Sequence, residues 1–124
     1  MVANKPANPA YLFMVFWAPV ALCIGIIFCI SSLPAKDIPS LFFNQDVVYH
    51  VSIYLLTAFL FSRALRQSFP NAGWMSLMLT TLLFGVALGI TDEQYQVLIP
   101  GRCPSLKDIM SDSAGTFFGG LAYI

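Results

Sequence analysis

The stretch YLFMVFWAPVALCIGIIFCI, residues 11–30, holds no charged side chain, and wound as a helix it matches the roughly 30 Å hydrocarbon core of a bilayer. It contains Phe13, Phe16 and Phe28 and runs into Ser31-Ser32-Leu33-Pro34, where the proline disfavours helix at the residue before it. Pro19 sits inside the stretch, so a kink is expected there. The apolar run exceeds the roughly 7–15 residues of a signal-peptide core, and Lys5 makes a thin positive region. A retained span is therefore expected rather than a cleaved leader.

The rest of the chain agrees with that reading. Of its 124 residues 58% are hydrophobic and 10% charged, against about 25% charged in soluble domains, so a soluble fold would lack a polar surface. The net charge is zero and six Lys plus Arg are scattered along the chain, which excludes the basic patch that a nucleic acid partner requires. A second apolar span, 47–65, closes on Arg63 and Arg66, whose long side chains can snorkel to an interface. Pro70-Asn71-Ala72-Gly73 breaks the chain before a third span, 74–90, which opens on an aromatic of the headgroup type, Trp74. A fourth, 109–124, contains Asp112 and is the shortest, about 24 Å at 1.5 Å per residue. With the first span at 11–31, the expectation is an all-α polytopic membrane protein of about four transmembrane helices in a single domain, residues 1–124, with the lipid bilayer as its main partner.

Four spans would put Lys5, Arg63 and Arg66 on one side and Lys36, Arg102 and Lys107 on the other, a tie by the positive-inside rule. All six acidic residues (Asp37, Asp46, Asp92, Glu93, Asp108 and Asp112) fall in or beside the second set. The first set has no acidic neighbours, so both termini are expected to be cytoplasmic. His50, Gln94, Gln96, Arg102 and the carboxylates then share one membrane face, and ionisable groups in such positions are functional candidates by default.

Spacing sharpens that group. Asp46, His50 and Tyr54 recur every four residues and lie along one helical stripe. A carboxylate one turn from an imidazole can orient it for acid/base or ligand work, or can simply make a buried histidine tolerable. Asp108, Asp112, Gly115 and Gly119 share another stripe, and Gly85 and Gly89 repeat the same G-x-x-x-G spacing. Such pairs let helices approach closely, which would bring Asp92 and Asp112 together and call for a cation, a shared proton or Arg102. Arg102 follows the turn signal Pro100-Gly101 and is expected to pair with Asp92 or Asp108 while remaining available to an anionic ligand. Carboxylates with one histidine suit Zn or Mn, and all-oxygen sets Mg or Ca. The chain has no H-E-x-x-H, paired-Cys or C-x-x-C-H spacing, so neither a metal nor any other cofactor is expected. Cys23 and Cys29 fall on different faces of one helix and Cys103 is alone in a loop, so no intramolecular disulfide is expected.

The ordered set Asp46-x-x-x-His50-x-x-x-Tyr54, Gly89-x-x-Asp92-Glu93-x-x-Gln96 and Pro100-Gly101-Arg102-x-x-Ser105-x-x-Asp108-x-x-x-Asp112-x-x-Gly115 resembles the VanZ-like family of small bacterial membrane proteins from about Ser31 to Gly120. Two positions depart from it: Val47 stands where the family commonly has Lys, and Asp112 where it commonly has Asn. The resemblance implies the bacterial cytoplasmic membrane, a role in the cell envelope, and the association of the family's namesake with resistance to teicoplanin. The candidate polar site comprises Asp46, His50, Tyr54, Asp92, Glu93, Gln96, Arg102, Ser105, Asp108 and Asp112. Three classes of function fit: binding or modulating a lipid-linked or surface envelope component, a membrane-embedded acid/base or metal-assisted enzyme acting on such a substrate, and a structural or assembly subunit, with a homo-oligomer compatible with each.

Overall fold

A computed structural model describes residues 8–124, so Lys5 and its place in the charge count lie outside the described residues. Among these residues the chain is all-helical: α1 (Pro9–Phe16), α2 (Ala18–Ser31), α3 (Gln45–Ser68), α4 (Trp74–Gln96) and α5 (Leu106–Tyr123), with one 3₁₀ turn at Ala35–Asp37. Three segments, Pro9–Ser31, Gln45–Ser68 and Trp74–Gln96, are long and apolar enough to cross a membrane. The fourth expected span corresponds to α5, which carries Lys107, Asp108 and Asp112 and is not among them.

The break between α1 and α2 has an identifiable cause. Pro19 has no N–H with which to bond the carbonyl four residues back, that of Val15. Arg63 supplies the missing donor, its Nη1 reaching Val15 O at 3.2 Å, and its guanidinium lies 4.4 Å from the Phe16 ring centroid. An arginine expected to snorkel outward is instead spent on the kink. At the far end of α3, Arg66 donates to Ala72 O at 2.7 Å and closes the Pro70–Gly73 turn. Helix α4 continues to Gln96, past the expected end of the third span at residue 90, because Asp92, Glu93 and Gln96 are buried and find partners within the bundle. The loop after it contains the turn Ile99–Arg102, with Arg102 N donating to Ile99 O at 3.1 Å and Gly101 at φ 77°, the left-handed position that a type II turn with proline before it requires.

The bundle is polar inside and apolar outside. Tyr54, Thr57, Ser62, Thr81, Asp92, Glu93, Asp112 and Thr116 are all essentially inaccessible, while Leu22, Leu79, Leu83, Phe118 and Leu121 lie on the exterior. That inversion suits a hydrocarbon surrounding, in which polar groups must be satisfied within the protein. An apolar knot of Val20, Phe61, Ala64, Leu65 and Leu77 closes the end near the α3–α4 turn, with Phe61 and Phe84 stacked at 3.9 Å.

Helix α5 is wedged between α3 and α4. Gly115 and Gly119 face the backbone of α3 at Val51 and Leu55, whereas Gly85 and Gly89 of α4 make room for the side chains of Thr116 and Asp112. The two glycine pairs therefore do not meet each other: each admits what its neighbour presents. A carbon added at Gly119 would collide with the Leu55 carbonyl and stand 3.0 Å from Ala58 Cβ, while Gly25 has open space around it. Gly119→Ala is expected to lower stability by about 1–3 kcal/mol through overpacking, and Gly25→Ala to be neutral or to stabilise by up to about 1 kcal/mol through helix propensity. Unfolding midpoints in detergent micelles check both, and equal effects would contradict this packing.

Candidate functional site

The N-terminal turns of α3 and α5 and the C-terminal turns of α4 come to the same end of the bundle. Helices α3 and α5 run parallel there, and α4 runs antiparallel between the loops that join them. His50 stands at the centre of this end. Its Nδ1 lies 2.8 Å from Asp112 Oδ1, and with a carboxylate as partner the ring N–H donates. This is the one acid–base side-chain pair within ion-pair distance among the described residues.

The partner differs from the one that spacing favours. Asp46 is one turn from His50 but exposed, whereas Asp112 is fully buried. A step of four residues advances the helix by about 40° beyond a full turn, so Asp46 faces the rim while Tyr54, two steps further, is buried. The cross-helix contact wins because Gly89 leaves space for the Asp112 carboxylate beside α4.

Around that pair, Gln96 Nε2 donates to Asp92 Oδ2 at 3.1 Å and to Ser31 Oγ at 3.4 Å. Ser105 N donates to Glu93 Oε2 at 2.6 Å, and Ser105 Oγ caps α5 by accepting from Asp108 N at 3.2 Å. Each of the three buried carboxylates has one partnered oxygen and one without a partner among the described residues: Asp92 Oδ1, Glu93 Oε1 and Asp112 Oδ2. The Tyr54 hydroxyl and Thr116 Oγ1 are likewise unpartnered.

Arg102 does not pair with Asp92 or Asp108. Its Nε donates to Leu33 O at 3.2 Å and its Nη2 to Ile30 O at 3.3 Å, so it caps the end of α2. Pro34 stops that helix and leaves carbonyls free, and the bond from Ala35 N to Pro100 O at 3.3 Å holds the Pro100–Gly101 turn beside them. Lys107 donates to Asn44 Oδ1 at 3.3 Å. Gln94 is exposed.

Two residues outside the expected set contribute. Ser31 accepts from Gln96, and Gln45 pins the preceding loop, its Oε1 accepting from Leu41 N at 2.6 Å and its Nε2 donating to Pro39 O at 2.7 Å. Gln45 directly precedes Asp46, yet only the packed loop explains its burial. Cys23, Cys29 and Cys103 are free thiols.

Two chambers open at this end. One, of 490 Å³, is mostly apolar and lies between α2, α3 and α4, with Ile27, Ile30, Ile53 and Leu56 in its wall. The other, of 470 Å³, is polar and sits under the loops, lined by Ser40, Asn44, Gln45 and Asp108 among others. Ile38, Asp46, His50, Gln96 and Arg102 line both, so these side chains form the wall that the two chambers share.

The family model described as VanZ/LLP1 matches residues 10–124. No curated protein and no solved structure matches the chain.

A double-mutant cycle on His50→Ala and Asp112→Ala is expected to give a coupling of about 0.5–3 kcal/mol in unfolding free energy, as for side chains in direct contact. The parallel cycle on Asp46→Ala and His50→Ala is expected to give almost none. The opposite ranking in detergent unfolding would show that Asp46 is the histidine's partner.

Proposed function

The chain belongs to the VanZ/LLP1 family, and we propose that this membrane protein holds a lipid-linked component of the cell envelope, with the apolar chain in one chamber and the head in the other. The observation that carries the reading is the adjacency of an apolar and a polar chamber, which share a wall that includes His50 and Arg102. An amphiphile has the same division, and pockets of a few hundred Å³ with a few directed polar groups are typical ligand sites. Arg102 stands where tail and head would meet. Guanidinium nitrogens not engaged by Ile30 and Leu33 can donate to a phosphate or carboxylate linkage. Beyond it Asn44, Gln45, Asp46 and Asp108 offer acceptors suited to a head rich in hydroxyl or amine groups.

The same proposal places the protein in the bacterial cytoplasmic membrane with four spans, α5 being the fourth. Burial of Asp112 and Thr116 between α3 and α4, with Phe117, Phe118 and Leu121 outward, supports a membrane depth for α5. Arg63 and Arg66, which pair with no acidic side chain among the described residues, support cytoplasmic termini and an outward-facing polar chamber. Cell-wall precursors meet teicoplanin-type antibiotics at that outer face, and a link to glycopeptide resistance is the physiological form of the reading.

Orientation is tested in a background lacking Cys23, Cys29 and Cys103. An impermeant thiol reagent on intact cells is expected to label Leu98→Cys and to spare Asn71→Cys; the reverse pattern would invert the topology.

Binding is tested with a synthetic prenyl-phosphate sugar, the sugar phosphate without its tail, and the prenyl alcohol without its head, each titrated against the detergent-purified chain. The complete amphiphile is expected to bind at least about tenfold more tightly than either half, the difference that 1.4 kcal/mol makes. Arg102→Lys, which loses the planar fork, and Ile53→Trp, which fills the apolar chamber, are each expected to weaken it. Saturable binding that is equal for the whole and for one half would remove the two-chamber reading.

A further inference from the structure

Of the basic side chains near the polar end, Arg102 donates to the carbonyls of Ile30 and Leu33, Lys107 donates to Asn44, and Lys36 is exposed. At the other end Arg63 and Arg66 are also taken by carbonyls. Asp92, Glu93 and Asp112 are at least 98% buried, and each retains an oxygen without a partner. Among the described residues His50 is the single charge-complementary neighbour of this group within ion-pair distance. Buried carboxylates in that state are costly unless something positive joins them.

We propose that His50, Glu93 and Asp108 bind one divalent transition-metal ion, of the zinc or manganese class, with Asp112 as the positioning residue behind the imidazole. One ligand atom from each of the three lies within 4.8 Å of the others, so a small inward rotation of the side chains brings them to a common centre at the roughly 2.0–2.2 Å that such ions take. Asp112 occupies Nδ1 of His50, which leaves Nε2 for the ion. A carboxylate on the far nitrogen is the usual support for a metal-binding histidine, fixing its tautomer and ring orientation.

Glu93 is likewise held, its Oε2 by Ser105 N, with Oε1 buried and unpartnered. Asp108 is fixed by the capped first turn of α5. One nitrogen and two carboxylate ligands favour Zn or Mn over the all-oxygen shells of Mg and Ca. The set escapes sequence motifs because α3, α4 and α5 each contribute one ligand.

His50 and Asp108 also line the polar chamber. Coordination positions not taken by the protein therefore face that chamber, where water or an anionic oxygen of a bound head can fill them. This last step rests on the amphiphile reading. Metal binding itself does not, and the two are measured separately.

The test uses the full chain in detergent, stripped with a chelator and titrated with zinc chloride and manganese chloride in turn, with no lipid ligand added. Calorimetry and metal analysis after gel filtration are expected to give about one ion per chain and a metal-dependent rise in the unfolding temperature. Asp108→Asn, whose altered side chain takes part in no hydrogen bond of the fold, and Glu93→Gln are each expected to weaken binding at least tenfold. Asp112→Asn is expected to weaken it about 10–100-fold while keeping the one-ion stoichiometry, and Asp37→Asn to leave it unchanged. Absence of saturable binding in the folded wild-type chain would overturn the proposal and leave shared protons as the means by which the carboxylates are tolerated. Binding that survives in Asp108→Asn and Glu93→Gln alike would equally overturn it, as an adventitious surface ion.

Discussion

Helix α5 approaches α3 to backbone distance, and the arrangement of the polar end follows from that approach. Gly115 and Gly119 have no side chains to hold the two helices apart, so Val51 and Leu55 of α3 pack directly against α5. With one face of α5 committed in this way, Asp112, Thr116 and Gly120 turn towards α4. There Gly89 and Gly85 receive Asp112 and Thr116, while Gly120 fits against Met78 and Thr81. His50 meets Asp112 because both helices are anchored at this separation. A bulkier residue at Gly89 would collide with the Asp112 carboxylate itself.

A second regularity is the use of arginine. In a chain with few charges, Arg63, Arg66 and Arg102 all donate to backbone carbonyls left free by a proline, a turn or a helix end. Each such carbonyl would be expensive to leave unmet near or within a bilayer. At the polar end the backbone thus outcompetes the carboxylates for the guanidinium group of Arg102. This explains why the polar end is rich in acid yet poor in ion pairs.

Much of the helical layout was legible in the amino-acid string. The uninterrupted apolar run to Ile30, the break at Pro70–Gly73 and the turn at Pro100–Gly101 are local signals with local causes, and the three spans that begin with residues 9–31 follow from them. The partners at the candidate site were not legible. Spacing along α3 relates His50 to Asp46, but burial depends on the azimuth at which a neighbouring helix arrives, and that is set by glycines far away in sequence. A surplus of acid around Arg102 suggests a salt bridge, but the carbonyl ends of α2 compete for it and become visible only when the Pro100 loop is placed beside them. The hydroxyl pair Ser62–Thr81, 2.9 Å apart in the interior, carries no spacing signal at all. Its two members belong to different helices and read individually as ordinary polar interruptions of apolar spans.

The apolar chamber has a rim of exposed side chains, including Ile30, Tyr49 and Leu56, so its mouth lies along the flank of the bundle as well as under the loops. A molecule dissolved in the surrounding leaflet can reach such a mouth by two-dimensional diffusion, without first partitioning into water. Occupancy would then be governed by the mole fraction of that molecule in the leaflet, not by its aqueous concentration. Dilution of the membrane with inert lipid would empty the chamber, whereas dilution of the aqueous suspension would not.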